Sequence, residues 1–191
     1  DEAYMKRLET LPLDPELIRR QNSFKVVFTA LHGVGGVIIK PMLSRLGFHC
    51  ETVAEQDVPD GRFPTVKSPN PENTEALSMA MKRADETGAD LVVATDPDCD
   101  RMGIAARDMS GKMTLLTGNQ IGSLIAWYRA MKHFEKGILT EANKSHSVII
   151  KTFVTTDLQK AIAEKFGIRC VETLTGFKYI GEKLRKYEEA I

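Results

Sequence analysis

Three aspartates alternate at positions 96, 98 and 100, directly after the apolar run of residues 91–94. Carboxylates spaced this closely repel one another, and capping a helix would need only one of them. A bound divalent cation would offset the repulsion. Mg²⁺ and Ca²⁺ prefer oxygen ligands, and Mg²⁺ favours sites that water or phosphate completes. We therefore predict that Asp96, Asp98 and Asp100 hold one metal ion, Mg²⁺.

The residues between and after these aspartates support a ligand site. Pro97 restricts one backbone angle and has no N–H group. Arg101 adds a planar, fork-shaped cation that suits phosphate oxygens. The preceding apolar run reads as a buried strand, and open α/β sheets bind ligands beyond the carboxyl ends of their strands. The sequence therefore predicts a metal site beside a phosphate-binding cation.

Other kinds of aspartate loop compete with this interpretation. An EF-hand counted from Asp96 needs glycine at its sixth position and glutamate at its twelfth, where the chain has Arg101 and Arg107. A phosphatase with an aspartyl nucleophile matches only in part, because Asp100 stands where threonine or valine belongs. A solvated acidic turn remains open. Cys99 is not expected to be a ligand, because its side chain should point away from the aspartates.

Apolar strands and amphipathic helices alternate along the chain, which is typical of strand–helix–strand crossovers. The pattern predicts an α/β fold of two consecutive α/β/α units with mostly parallel mixed sheets, the second one truncated. We expect the units to cover residues 1–113 and 114–191. Strands are predicted at 24–30, 48–54, 91–94, 102–107, 112–116, 147–153 and 168–173, and the main helices at 37–46, 75–87, 119–134, 156–166 and 177–189. Trp127 is expected in the core.

The bulk composition excludes several classes of partner. The 191 residues include 26 Lys plus Arg and 26 Asp plus Glu, so the formal net charge is zero, and neither a nucleic acid nor an anionic membrane is an expected partner. No apolar run approaches the roughly 20 residues that cross a bilayer. The three cysteines are too sparse for a disulfide framework, which favours reduced thiols and a cytoplasmic location.

The aspartate loop and four other segments resemble the α-D-phosphohexomutases, the phosphoglucomutase and phosphomannomutase superfamily, and in particular its type-2 branch. The loop resembles the metal loop of that family. The other segments agree with it in order and spacing: residues 31–36 (LHGVGG), 69–72 (PNPE), 116–120 (LTGNQ) and 172–178 (ETLTGFK). The resemblance extends over nearly the whole chain and places it on the second domain and part of the third.

The resemblance implies roles for individual residues. Asp96, Asp98 and Asp100 would ligate Mg²⁺, and a phosphoserine oxygen would complete its coordination. Arg101 would orient the reacting phosphate and sugar. Lys151 would stand near the reacting centre, and Thr175 and Gly176 would contact the sugar. The family reaction implies transfer between sugar 1-phosphate and 6-phosphate through a bisphosphate intermediate, with glucose the expected sugar and pentose next.

Other parts of the family pattern have no counterpart here. The serine motif of the first domain, the sugar-specificity loop and the phosphate clamp of the fourth domain are missing, and the chain begins at Asp1 rather than at Met. We therefore expect a fragment that is inactive alone, binds Mg²⁺ weakly and self-associates through an exposed strand edge. The alternatives are a phosphatase with an aspartyl nucleophile and a non-catalytic metal-binding homologue.

Overall fold

The computed structural model describes residues 1–21 and 23–189. It divides into two compact units, Asp1–Gly118 and Asn119–Ile191. Each unit combines helices with a central sheet, so the predicted α/β class is confirmed. The predicted boundary between residues 113 and 114 stays a prediction. Among the described helices, none combines the length and the apolar character needed to cross a membrane.

A five-stranded mixed sheet forms the centre of the first unit. Its strands are β1 (Lys25–Thr29), β2 (His49–Thr52), β3 (Leu91–Thr95), β4 (Met102–Arg107) and β5 (Met113–Leu116). The strand order is β2-β1-β3-β4-β5. β1 pairs in parallel with β2 and β3, whereas β4 is antiparallel to both β3 and β5. Because β1 and β3 are parallel neighbours, the segments that follow them meet at one edge of the sheet.

Four helices accompany this sheet: α1 (Glu2–Leu8), α2 (Pro15–Arg20), α3 (Ile39–Arg45) and α4 (Thr74–Thr87). A 3₁₀ turn at Val34–Val37 precedes α3, so the α-helix predicted from residue 37 begins two residues later. α4 buries Ala76, Leu77, Ala80 and Ala84 in the same core as Val27 and Val92 of the sheet. Small alanines let this helix approach the sheet closely, and Gly88 ends it in the left-handed conformation.

In its described residues, the second unit contains a two-stranded parallel sheet and three α-helices. Its elements are α5 (Gly118–Glu135), β6 (Val148–Thr152), α6 (Leu158–Phe166), β7 (Arg169–Thr173) and α7 (Phe177–Glu188). The register pairs Lys151 with Glu172. The prediction for Trp127 is wrong, because this residue remains 40% exposed. Its ring packs edge-on against Phe166 at a centroid distance of 5.1 Å, at the margin of a small core rather than inside it.

Candidate functional site

The aspartate loop connects two antiparallel strands. Thr95 at the end of β3 pairs with Met102 at the start of β4, which leaves residues 96–101 as the loop of a hairpin. The Asp96 N–H donates to the Arg101 carbonyl at 3.3 Å, and the Cys99 N–H donates to the Asp96 carbonyl at 3.1 Å. Cys99 adopts a left-handed backbone with φ of 65°, which is uncommon for a non-glycine residue. The hairpin therefore folds the alternating aspartates into a tight turn.

The turn brings the three predicted ligands together. One carboxylate oxygen from each of Asp96, Asp98 and Asp100 lies within 4.8 Å of the others. Ligands of an octahedral Mg²⁺ stand about 2.1 Å from the ion, and hence about 3 to 4 Å apart. Asp98 and Asp100 are exposed and can rotate to close the remaining gap, whereas Asp96 is fully buried. The donor set, one buried and two exposed carboxylates, fits Mg²⁺.

Arg101 fixes the buried ligand. Its backbone N–H donates to Asp96 Oδ1 at 3.0 Å and its Nε donates to Asp96 Oδ2 at 2.8 Å. Nε also lies 3.5 Å from Asp100 Oδ1. A carboxylate offers about four lone-pair positions, so Asp96 keeps acceptor capacity for a cation. The Arg101 side chain is itself more than half exposed, which leaves the far side of its guanidinium open to a ligand.

The electrostatics of the loop reflect this crowding. A hydrogen bond with Asp96, together with the nearby charge of Asp98, raises the pKa of Asp100 above its ordinary value. Burial alone would raise the pKa of Asp96, but the hydrogen bonds from Arg101 outweigh burial and lower it. The loop thus holds one stabilised carboxylate and one that its neighbours repel, and a divalent cation would relieve that repulsion.

The same geometry bears on the phosphatase alternative. A nucleophilic aspartate must present a free oxygen to its substrate, but Asp96 has 0% exposure and both of its oxygens accept hydrogen bonds from Arg101. The arrangement suits a fixed ligand better than a nucleophile.

The PNPE segment contacts the strand that leaves the loop. Pro71 is fully buried, and a Cβ built on Gly103 would lie 2.0 Å from the Pro71 carbonyl oxygen. The Asn70 side chain accepts a hydrogen bond from the Glu72 N–H at 3.0 Å, which shapes the turn before α4. Gly103 is therefore needed for close approach, and the segment supports the carboxyl-terminal side of the aspartate loop.

Lys151 lies in the second unit, on β6. Its side chain is 2% exposed, and its Nζ donates to the Thr155 carbonyl at 3.0 Å and to Asp157 Oδ1 at 3.1 Å. Nζ also lies 3.3 Å from Glu172 Oε2 on β7. Burial alone would lower the pKa of Lys151, but these two carboxylates raise it above its ordinary value. The ammonium group is thus a fixed cation whose three donors all have protein partners.

Thr175 and Gly176 form the turn between β7 and α7. Gly176 is the N-cap of α7 and has φ of 129°, a conformation that side-chain-bearing residues rarely adopt. Thr175 is exposed, and within the described residues the N-cap position of this helix provides no side-chain hydrogen bond. A helix amino terminus with open N–H groups attracts anions. The predicted sugar contacts of Thr175 and Gly176 remain predictions.

Sequence reasoning missed the two acidic partners of Lys151. Asp157 follows a short turn after β6 and is exposed, so its position resembles that of any surface aspartate. Glu172 lies between Val171 and Thr173 on β7, and only the parallel register places it opposite Lys151. A lysine within an apolar strand was the one available indication that acidic partners must lie nearby.

Comparisons with known proteins agree with this architecture. Residues 2–111 match the family model for phosphoglucomutase/phosphomannomutase, alpha/beta/alpha domain II, and residues 117–191 match the model for domain III. A phosphoglucomutase from Staphylococcus aureus strain USA300 is 37% identical over 170 residues, which cover 88% of this chain and 29% of that protein. The chain therefore spans less than a third of the length of this relative.

Solved structures show the same fold. A protein assigned as a phosphomannomutase from Thermus thermophilus superposes with a TM-score of 0.75 at 26% identity, covering 97% of this chain and 38% of that one. An Aspergillus fumigatus N-acetylphosphoglucosamine mutase, solved with GlcNAc-6P and magnesium, gives 0.59 at 18% identity, covering 85% and 33%. With both family models matched in order across nearly all of its length, the chain belongs to the phosphoglucomutase/phosphomannomutase family.

Proposed function

We propose that this chain supplies the magnesium-binding part of a sugar-phosphate mutase. The observation that carries the proposal is the convergence of Asp96, Asp98 and Asp100 beside Arg101 at the carboxyl end of β3. The magnesium in the Aspergillus mutase structure supports the choice of metal. Because the chain covers 29% of the Staphylococcus phosphoglucomutase, the reaction belongs to a longer protein that contains this chain.

The proposed reaction interconverts sugar 1-phosphate and 6-phosphate, with glucose as the sugar. A phosphoserine outside this chain would donate the phosphoryl group through a bisphosphate intermediate. When bound, Mg²⁺ would polarise a phosphoryl oxygen and neutralise charge during transfer. Asp96 provides the fixed ligand, while the exposed Asp98 and Asp100 adjust to the ion.

Arg101, Lys151 and the start of α7 have separate roles in this proposal. The exposed side of Arg101 orients the transferring phosphate as a bidentate donor. Lys151 is proposed to stand near the reacting centre as a fixed, protonated group, and because its donors are taken by Thr155, Asp157 and Glu172 it holds the segment after β6 in place instead of binding the phosphate. Thr175 and the open N–H groups at the start of α7 contact the sugar phosphate. The three free thiols and the sugar-phosphate chemistry favour a cytoplasmic location.

Metal titration of the 191-residue chain tests the proposal. We expect calorimetry to detect weak Mg²⁺ binding, and Asp98→Asn to weaken it at least about tenfold, because even changes outside the ligand shell cost about 10- to 100-fold. Asp85→Asn removes an exposed carboxylate of α4 and is the matched control, with unchanged affinity. Equal affinity in wild type and Asp98→Asn would refute the assignment of the site.

Activity assays separate the functional alternatives. We expect the chain alone to convert no glucose 1-phosphate into glucose 6-phosphate, and to leave small phosphate esters unhydrolysed. In the longer protein, Asp98→Asn should abolish the conversion while Asp85→Asn retains it. If the chain hydrolyses phosphate esters and Asp96→Asn abolishes this hydrolysis, the aspartyl phosphatase is favoured instead.

A further inference from the structure

The glycine-rich segment after β1 is in direct backbone contact with the aspartate loop. The Val34 N–H donates to the Pro97 carbonyl at 3.0 Å. A Cβ built on Gly33 would lie 2.2 Å from Pro97 Cα and 2.6 Å from the Pro97 oxygen. These are backbone atoms that cannot rotate aside, so a side chain on Gly33 would force the two segments apart. Only glycine permits this approach.

The segment that makes this contact is itself held rigidly. Leu31 and His32 are buried and adopt left-handed backbones with φ of 47° and 63°, conformations that persist only where surrounding contacts impose them. The His32 N–H donates to the Gln56 carbonyl at 3.0 Å, and His32 Nε2 lies 2.8 Å from Thr65 Oγ1. Gln56 is fully buried as well, and its side chain bonds Thr29 and Thr65. The turn that precedes Gly33 is therefore held in place by its buried neighbours.

Pro97 stands between two of the proposed ligands. Its backbone position sets the directions in which Asp96 and Asp98 leave the chain. On the other side the loop is open, since Asp98, Cys99 and Asp100 are exposed. The contact with Gly33 and Val34 is therefore a main constraint on where the carboxylates can stand, and Mg²⁺ tolerates little departure from octahedral geometry.

We propose that Gly33 and the Val34 N–H are positioning residues that set the spacing of the aspartates for Mg²⁺. They act through Pro97 and touch no ligand. The inference rests on the proposed magnesium role of the loop and adds to it the feature that selects the ion. Ca²⁺ binds at longer distances and in looser geometries, so a displaced loop loses Mg²⁺ affinity more than Ca²⁺ affinity.

The first test replaces Gly33 with alanine. We expect Gly33→Ala to weaken Mg²⁺ binding on the order of tenfold, as for other residues that orient ligands, and to weaken Ca²⁺ binding less. Amide NMR spectra should shift at residues 96–101 and stay unchanged in α4. Gly36→Ala is the matched control, because its new Cβ would meet only Asp57, with the side chain nearest at 3.4 Å. It should match wild type in both affinities.

A second pair of variants acts on the hydrogen bond from Val34. Val34→Pro replaces the N–H with a ring carbon that points at the Pro97 carbonyl, so it removes the hydrogen bond and also pushes the loop away. Gly33 already has the extended backbone, φ −99° and ψ −170°, that a residue before proline adopts. Val34→Ala keeps the N–H and is the control, since Val34 is exposed and contributes little to the core. Val34→Pro should lower the ratio of Mg²⁺ to Ca²⁺ affinity, and Val34→Ala should not.

The outcomes distinguish a failure of the positioning role from a failure of the proposed function. Suppose that the wild type binds Mg²⁺ and that Asp98→Asn abolishes this binding. If folded Gly33→Ala and Val34→Pro then keep the wild-type affinity, the positioning role is overturned and the proposed function stands. Equal losses of Mg²⁺ and Ca²⁺ in these variants also overturn it, because general destabilisation would act on both ions alike. Absence of Mg²⁺ binding in wild type overturns the proposed function, and this inference with it.

Discussion

At the residue scale, the charged residues of the candidate site differ in whether their charge is exposed or already paired within the protein. Asp98 and Asp100 are exposed and crowded by like charge, so they are available to a cation. Lys151 is buried and fully paired, so its charge is committed to the protein. Residue type and spacing identified the two aspartates, and the family resemblance pointed to Lys151, but only the contacts distinguish a group that is available to a ligand from one that is already paired.

The anchoring of Lys151 predicts a stability effect. Lys151→Met leaves Asp157, Glu172 and the Thr155 carbonyl without their shared cation, and the methionine side chain retains most of the apolar volume. We expect a lower Tm in calorimetry and faster amide exchange in residues 153–157. Lys160→Met, at an exposed position of α6, is the control and should leave both unchanged. Identical exchange in the two variants would contradict the anchoring role.

At the element scale, each local structure depends on a few polar contacts at its ends. The β4–β5 connection is one such case. Asp108 accepts hydrogen bonds from the Ser110 hydroxyl at 2.6 Å, the Ser110 N–H at 2.8 Å, the Lys112 N–H at 3.1 Å and the Thr114 hydroxyl at 3.1 Å. A single ionised carboxylate thus closes the hairpin that contains the strand leaving the aspartate loop.

This carboxylate gives the hairpin a defined pH dependence. The Ser110 hydrogen bonds are the main cause that lowers the pKa of Asp108 from 3.8 to about 2. Because the folded pKa is below the unfolded one, the stabilisation is fully present above pH 3.8 and is lost as the pH falls toward 2. We expect Asp108→Ala to be less stable than wild type at neutral pH, and the difference to shrink as the pH falls through 2 and to vanish below it.

Denaturant unfolding of both proteins across this pH range, with an NMR titration of the Asp108 carboxyl group, checks the prediction. Asp85→Ala is the control, since its exposed carboxylate lies on α4, outside the hairpin loop, and pairs with Arg107. A stability difference that persists unchanged through pH 2 would show that Asp108 does not act through its ionised form.

At the scale of the whole molecule, the net charge and the exposed apolar side chains both affect contacts between copies of the chain. The formal net charge is zero, so electrostatic repulsion between copies is weak near neutral pH. In the described part of the chain, β6 and β7 pair only with each other, which leaves backbone N–H and C=O groups on both outer edges. Exposed apolar residues lie at the ends of these strands: Phe153, Val154, Leu174 and Phe177.

These features predict self-association of the chain. Phe177 is 81% exposed beside a short sheet with open edges, a combination that favours pairing with another copy. We expect light scattering to show a mass that rises above the monomer with concentration. Phe177→Asp should reduce the association, whereas Leu11→Asp, at an exposed apolar position of the first unit, should not. A constant monomer mass in the wild type would remove the prediction.

Much of the fold follows from local patterns. The apolar runs and helical periods predicted strands and helices within a few residues of their positions, as β4 at Met102–Arg107 and α4 at Thr74–Thr87 illustrate. Side-chain period and turn residues are local properties, so the sequence carries them directly. Trp127 shows where this fails, because an apolar helix face does not reveal how much neighbouring structure will cover it.

By itself, the sequence determined the α/β class and the alternating carboxylates that suit Mg²⁺. Only the tertiary structure decided that Arg101 holds Asp96, that Glu172 neutralises Lys151, and that Gly33 lies against Pro97. These contacts join residues whose distance in space depends on strand pairing. Parallel pairing of β1 with β3 brings their carboxyl ends to one edge, and the register of β6 with β7 sets Glu172 opposite Lys151. No local pattern encodes such register, because it results from packing of the whole sheet.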